Sequence, residues 1–238
     1  CIIYNAKMNE LGIVIGIKDR KKPIENCNRL KAFSEQVHLV LVEQDSFTTV
    51  NTVECDQHVF IQTSDIWNKA LSNNRGFDAM PDSVDTYMLL DGDLFISEED
   101  IKEIKTLPKD KVFSLQHDKV HGPGNLVIPK DIWRNVGHFN EDLAGWGIDD
   151  VDWIYRMNSK GYSIYKHKLK DAFDVEESFS KAKRLDTRPG VTQRENMFIN
   201  LMLSEYSRGN RDFSSLPQDL EIQWHQQWGD LVNMPWYE

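Results

Sequence analysis

Apolar positions in the first hundred residues follow two periods in turn. Leu11 to Ile17 (LGIVIGI) is a β-branched run that empties into the polar stretch Lys18-Asp19-Arg20-Lys21-Lys22-Pro23, the pattern of a buried strand ending in a loop. Ile24, Cys27, Leu30 and Phe33 then recur at helical spacing across Ile24 to Ser34. Val37 to Val42 (VHLVLV) predicts a second strand with Glu43-Gln44-Asp45-Ser46 beyond its carboxyl end, and Val59-Phe60-Ile61 a short third. From Asp65 to Asn74 the residues Ile66, Trp67, Ala70 and Leu71 share a helical face, with a stop expected at Gly76. Thr86 to Leu90 reads as a buried strand that delivers Asp91-Gly92-Asp93, after which Ser97 is expected to cap a short helix to Leu107. Glu98, Glu99 and Asp100 fall in its first turn, where the helix dipole favours acids. This β-α-β-α-β order predicts an α/β fold, a mostly parallel central sheet flanked by helices.

The second half is less regular. Val112 to Leu115 and Leu126 to Ile128 predict strands on either side of the His121-Gly122-Pro123-Gly124-Asn125 loop, followed by a helix from Lys130 to Asn135. Gly137-His138-Phe139-Asn140-Glu141 leads to Gly145-Trp146-Gly147, then to a helix with Val151, Ile154 and Tyr155 on one face that ends at Gly161, and a last strand over Tyr162 to Tyr165. Residues 191–207 predict an amphipathic helix, and the tail carries Trp224, Trp228 and Trp236. The expected organisation is one domain over 1–190, with halves at 11–105 and 106–190, and a helical, aromatic-rich C-terminal extension over 191–238 packed on it.

Bulk properties narrow the partners. With 238 residues, 40% hydrophobic and 28% charged, the composition is that of a soluble globular protein without a membrane-length apolar stretch. A net charge of -10 disfavours nucleic acid and anionic membranes as general partners, yet leaves room for a local basic pocket around a diphosphate. Cys1, Cys27 and Cys55 lack metal-ligand spacing and fit a reducing compartment, so a cytoplasmic setting is expected, peripheral at most at the inner face of the membrane. No signal peptide is visible, and Cys1 in place of an initiator methionine points to a processed or excised piece of something longer.

Two acidic clusters carry the candidate chemistry. In extended backbone residues i and i+2 share a face, so Asp91 and Asp93 converge just past a strand's carboxyl end, and two like charges beside Leu89-Leu90 and Leu94-Phe95-Ile96 call for a cation. Asp149 and Asp150 open a helix, where the dipole alone could account for them. The indole of Trp146 between Gly145 and Gly147 is poorly placed for a core but suited to stacking on a sugar. His121 and Asn125 could line an acceptor site, Arg75 could face a phosphate or serve as a helix C-terminal charge, and Trp67 reads as core.

Together the residues resemble a known family. Ile15-Gly16-Ile17-Lys18-Asp19-Arg20, Trp67-Asn68-Lys69-Ala70-Leu71-Ser72-Asn73-Asn74-Arg75-Gly76, Leu90-Asp91-Gly92-Asp93, Gly137-His138-Phe139-Asn140-Glu141 and Gly145-Trp146-Gly147-Ile148-Asp149-Asp150 stand in the order of the GT-A glycosyltransferases. Within these, residues 11–177 are most similar to the β-1,4-galactosyltransferase and bacterial chondroitin-polymerase-like branch. The resemblance implies a Rossmann-like GT-A fold and an inverting transfer of a hexose or N-acetylhexosamine from a nucleotide sugar, UDP-linked, to a glycan hydroxyl, in polysaccharide synthesis and beside a fused or associated second transferase domain. It implies that Asp19, Arg20, Gln44, Asp45, Arg75 and Asp91 border the donor, that Asp93 holds Mn²⁺ (or Mg²⁺) with Asp91 nearer the ribose or a metal-bound water, and that Trp146 and Gly147 lie between donor and acceptor. Asp150 takes the place of the catalytic base and Asp149 that of the acid gripping the acceptor hydroxyl. Where relatives supply a metal-binding histidine, this chain reads Ala172-Phe173-Asp174-Val175-Glu176, so Asp174 stands in its place, with His167 a second candidate.

Two other readings compete. Leu89-Leu90-Asp91-Gly92-Asp93 resembles the nucleophile strand of haloacid-dehalogenase-like phosphohydrolases, although that strand normally opens its fold and here three strand-like runs precede it. A non-catalytic module binding nucleotide sugar or glycan is the other.

Overall fold

The computed structural model describes residues 10–18, 22–33, 37–48, 50, 52–63, 66–116, 124–145, 147–174 and 190–209. Its elements are β1 (Glu10–Ile17), α1 (Lys22–Phe33), β2 (Val37–Asp45), β3 (Gln57–Gln62), α2 (Lys69–Asp78), β4 (Val84–Leu89), β5 (Leu94–Phe95), α3 (Glu98–Ile104), β6 (Val112–Gln116), β7 (Leu126–Pro129), α4 (Lys130–Val136), α5 (Asp149–Ser159), β8 (Ile164–Lys168), β9 (Phe173–Asp174) and α6 (Gln193–Ser207). Seven strands form one sheet in the order β3-β2-β1-β4-β7-β6-β8. β1 runs parallel to β2 and β4, β2 to β3, and β6 to β8, while β7 is antiparallel to β4 and β6. This is the expected mostly parallel sheet, with the acidic strand β4 near its middle.

Alternation along β1 builds the two faces. Leu11, Ile13, Ile15 and Ile17 join Leu39, Leu41 and Met88 beneath Cys27 and Leu30 of α1 and Ile101 and Ile104 of α3. On the opposite face Val14, Val40, Val42 and Leu89 pack with Ala70 and Phe77 of α2, Trp133 of α4 and Trp153 and Ile154 of α5. Gly12 and Gly16 flank Val14 on that face, and a Cβ would meet Met80 at 2.5 Å in the first and the Trp67 ring at 2.6 Å in the second. Trp67 itself is half-buried, covering Gly16 with its ring, and so stands at the edge of this core instead of within it as its sequence context implies.

Helix α2 departs from its expected bounds. Asp65 lies outside the described residues, and the helix begins after Asn68, whose side chain accepts from Leu71 N at 2.9 Å as the N-cap. It does not stop at Gly76. That glycine sits inside the helix because its bare backbone faces Val14, whose Cγ1 would lie 2.3 Å from an added Cβ. Gly76→Ala is accordingly expected to destabilise by about 1–2 kcal/mol, overpacking outweighing the better helix propensity, and Val14→Ala is expected to restore part of the loss in a urea unfolding midpoint. The last strand of the main sheet also runs further than its apolar residues suggest, to Lys168, paired along its length with β6.

The small sheet of β5 and β9 has no expectation behind it, since two residues per strand are too few for any period to show. It pairs Leu94 with Asp174 and Phe95 with Phe173. Arg29 of α1 stacks on both rings, 5.3 Å from Phe95 and 5.2 Å from Phe173. Asp100, in the capping box with Ser97, accepts from Lys170 N at 2.8 Å and so fixes the turn that feeds β9. Among the described residues no helix is long and apolar enough to cross a membrane.

Candidate active site

The site is assembled beyond the carboxyl end of β4. The Asp91 N–H donates to Asn125 Oδ1 at 2.7 Å, and Asn125 Nδ2 donates back to Asp91 Oδ2 at 3.2 Å. The other carboxylate oxygen meets Lys69 Nζ at 2.7 Å. Lys69 also donates to Gly124 O at 3.3 Å, and a Cβ on Gly124 would fall 2.9 Å from Asp91 Oδ2, so a side chain there would push the carboxylate aside. Asp93 follows on the turn between β4 and β5, and the β5–β9 pairing sets residue 174 opposite residue 94. The Asp174 side chain lies outside the described residues.

Asp149 and Asp150 enter from α5. Asp149 is 5% exposed and its Oδ2 finds no hydrogen-bond partner, whereas Asp150 is half-buried and accepts from Val151 N at 2.7 Å. Burial, then the neighbouring Asp150 charge, pushes Asp149 up to about 7 despite the counter-effect of Lys69. Burial raises Asp150 as well, again opposed by Lys69. Burial alone would pull Lys69 down, but Asp91, Asp149 and Asp150 outweigh it and hold its ammonium above the ordinary lysine range. Lys69 thus pairs with Asp91, and its charge also reaches the two acids at the start of α5.

A stability consequence has a definite sign. Asp149 holds its proton more tightly in the folded chain than at the ordinary value of 3.8, so between about pH 4 and pH 7 the folded state binds the extra proton and stability falls as pH rises. Asp149→Asn mimics the protonated acid at every pH. It is expected to raise Tm by several degrees at pH 8, with an upper limit of about 4 kcal/mol from the shift, and to match the parent protein only below about pH 4. Equal Tm values at both pH values would show that the carboxyl carries no such burden.

The other sequence-derived candidates fall in different places. Gln44 is enclosed, its Nε2 donating to Asn68 O at 2.6 Å and Ser72 Oγ at 2.5 Å while its Oε1 accepts from Asn68 N at 3.2 Å. Both ends of this amide are spent on the start of α2, so it orients the turn that carries Lys69 instead of meeting a base. Asp45 ends β2 with Oδ1 accepting from Ser46 N at 2.7 Å. Arg75 lies in the last turn of α2, paired with Asp78 at 3.8 Å and Glu141 at 3.6 Å, which is the helix-terminal reading and not the phosphate one. Asp19, Arg20, His121 and Trp146 lie outside the described residues, as do the tail tryptophans. Gly145 and Gly147, on either side of Trp146, have φ of 79° and 95°, and Ile148 follows at 78°. His167 lies on β8 against Phe113, away from the acids' elements.

Lys69 is the residue that sequence reasoning passed over. Its only signal was its place one residue after the cap of α2, in the same segment as Trp67 and Asn68.

A divalent cation can be tested against these groups. Among the described residues no three Asp, Glu, His or Cys side chains gather as a metal cluster, and Asp91 already has a lysine and an amide on its oxygens. Ions of the Mg²⁺ and Mn²⁺ kind nevertheless bind by one or two carboxylates when a substrate's phosphates complete the shell. Asp93 beside Asp91 fits that mode.

Comparison with known proteins agrees with this architecture. Residues 108–178 match the family model described as the N-terminal domain of galactosyltransferase. The structure resembles the catalytic domain of Drosophila β1,4-galactosyltransferase 7 in complex with xylobiose at 15% identity, covering 77% of this chain and 82% of that one, with a TM-score of 0.52. A mutant of the same Drosophila enzyme with manganese, UDP-Gal and xylobiose superposes over the same shares at 15% identity and a TM-score of 0.51. A mannosyltransferase from Pyrobaculum calidifontis in complex with GDP-Man and Mn²⁺ is 9% identical, covers 94% of this chain and 81% of that one, and has a TM-score of 0.53. No curated protein matches the sequence. The fold is therefore the GT-A fold, and the chain resembles the galactosyltransferase branch as its motifs imply.

Proposed function

We propose that this chain is a glycosyltransferase that moves a hexose or N-acetylhexosamine from a UDP-linked donor to a hydroxyl of a glycan, inverting the anomeric centre. The observation that carries the reading is the pair Asp149 and Asp150, two carboxylates with raised proton affinity at the start of α5, sharing Lys69 with Asp91 at the end of a central strand. A base whose affinity for a proton is raised towards neutrality is suited to accepting one from a sugar hydroxyl. The fold is one in which solved proteins carry UDP-Gal with manganese and xylobiose, or GDP-Man with Mn²⁺. The phosphohydrolase alternative fares worse, because β4 is the fourth strand of the chain and its Asp91 is locked between Lys69 and Asn125.

In this mechanism Asp150 takes the acceptor hydroxyl's proton as the oxygen attacks the anomeric carbon in line, and Asp149 orients that hydroxyl. Lys69 places positive charge where the diphosphate would lie and pairs with Asp91. Asp93, with Asp91 beside it, would hold the divalent cation, which supplies compensation for the charge developing on the nucleoside diphosphate. Trp146, between Gly145 and Gly147 in the sequence, would offer its ring to the sugars. Asp45, at the carboxyl end of β2, would border the nucleoside, as would Asp19 and Arg20 after β1.

The test is Mn²⁺-dependent binding of UDP, followed by calorimetry in the parent protein and in Asp93→Ala. Parent binding that needs the metal, weakened at least about tenfold by the substitution, is expected on removal of a ligand. Parent protein that ignores UDP with and without Mn²⁺ would sink the reading.

A further inference from the structure

Helix α6, in the extension expected to pack on the domain, lies against the loop that leads into the acids. Its residues Asn196, Asn200 and Ser204 recur every fourth position and are 0%, 0% and 1% exposed, so the polar stripe of this helix faces inward. Asn200 Nδ2 donates to Gly147 O at 2.9 Å and to Ala144 O at 3.2 Å, and Asn196 Nδ2 donates to Ala144 O at 3.2 Å. Ser204 Oγ donates to Asp152 Oδ1 at 2.6 Å, while Arg156 Nε holds the other oxygen at 3.0 Å, which seats the first turn of α5.

The segment so gripped cannot hold its own shape. Gly145, Gly147 and Ile148 all have positive φ, and a β-branched residue in that region is strained by about 1–3 kcal/mol. Ile148 is kept there by packing with Leu143 against Met197 and Leu201 of α6. From the far side, Gly145 N donates to Trp67 O at 2.7 Å and Asn68 Nδ2 to Glu141 O at 2.7 Å. The loop before the acids is thus clamped between the cap of α2 and the buried stripe of α6, and unpaired carbonyls at 144 and 147 would be the cost of losing the stripe.

We infer that Asn200, assisted by Asn196, is a positioning residue that holds the 144–148 loop and so sets the placement of Asp149 and Asp150. Its catalytic consequence rests on the proposed transferase reading; the positioning itself does not. Asn200→Leu keeps the volume and removes both donated bonds, and Asn200→Ala guards against a leucine that fails to fit. Val136→Ala, a loss of packing in α4, is the control for general destabilisation.

Amide hydrogen exchange across 143–152 and the NMR titration of the Asp149 carboxyl are read in all four proteins. Loss of two hydrogen bonds is expected to speed exchange at 144–148 about tenfold or more in both Asn200 variants, with β4 amides unchanged, and to move the Asp149 titration towards its ordinary range. Val136→Ala should do neither. Loop exchange and titration that stay put in both Asn200 variants, or that shift equally in Val136→Ala, would overturn the inference. UDP calorimetry with Mn²⁺ on the same samples separates the two ideas: absent binding in the parent protein removes the transferase reading, while the exchange and titration still decide the role of Asn200.

Discussion

Asp150→Asn is expected to cut sugar transfer at least about a hundredfold while leaving Mn²⁺-dependent UDP affinity nearly intact. The amide keeps the size of the carboxylate and still accepts from Val151 N, now 2.7 Å from Asp150 Oδ1, but it cannot take a proton from the acceptor. The loss belongs in kcat more than in donor binding. Asp149→Asn is the internal comparison, because Asp149 is the more buried and has an oxygen without a partner. Single-turnover rates with UDP-sugars, set beside UDP calorimetry, read both variants. If Asp149→Asn abolishes transfer and Asp150→Asn spares it, the roles are exchanged between neighbours; if neither matters, the mechanism proposed for α5 is wrong. In the parent protein the rate should rise with pH at values above the ordinary carboxylate range, since burial makes both acids give up their protons late.

The second large effect concerns the cation that nature built into the fold. Lys69→Met keeps the aliphatic stem and removes the charge that Asp91 meets at 2.7 Å and that Asp149 and Asp150 also feel. The pair is partly exposed, its side chains 24% and 37% accessible, so breaking it should cost about 1–2 kcal/mol of stability at pH 8, or about 5 °C in Tm for a chain of this size. Without Lys69 the buried Asp149 and Asp150 hold their protons to higher pH still, and the deficit should therefore shrink at pH 5. Lys69→Arg, which keeps the charge, is expected to recover most of the difference. A deficit of the same size at both pH values would mean that Lys69 stabilises by packing alone.

Much of this could be read from the residues. The alternation of LGIVIGI and VHLVLV foretold the strands because both periods and β-branching pointed one way, and Asp91-Gly92-Asp93 announced itself by standing next to Leu90 and Leu94. Lys69 did not, because a lysine in the first turn of a helix looks like any solvated charge until the fold brings Asp91 from 22 residues away. Gln44 misled for the opposite reason: its place past a strand end suits a ligand contact, but it is used up tying β2 to α2. Asn196, Asn200 and Ser204 show their spacing openly, yet a polar stripe on a helix reads as its wet face unless the bare carbonyls of a strained loop lie opposite. The antiparallel run of β7 has no signature in composition, since strand direction is set by the path of the connections.

The clamp on the 144–148 loop also has a history in time. Ala144 and Asn196 are 52 positions apart, and Gly147 and Asn200 are 53 apart, so the loop leaves the ribosome well before the helix that holds it. At roughly 5–20 residues per second the interval is on the order of 3–10 s, long compared with the closing of the strands β1 to β4. A nascent chain can thus own a well-formed sheet while its acids still await the helix that holds their loop.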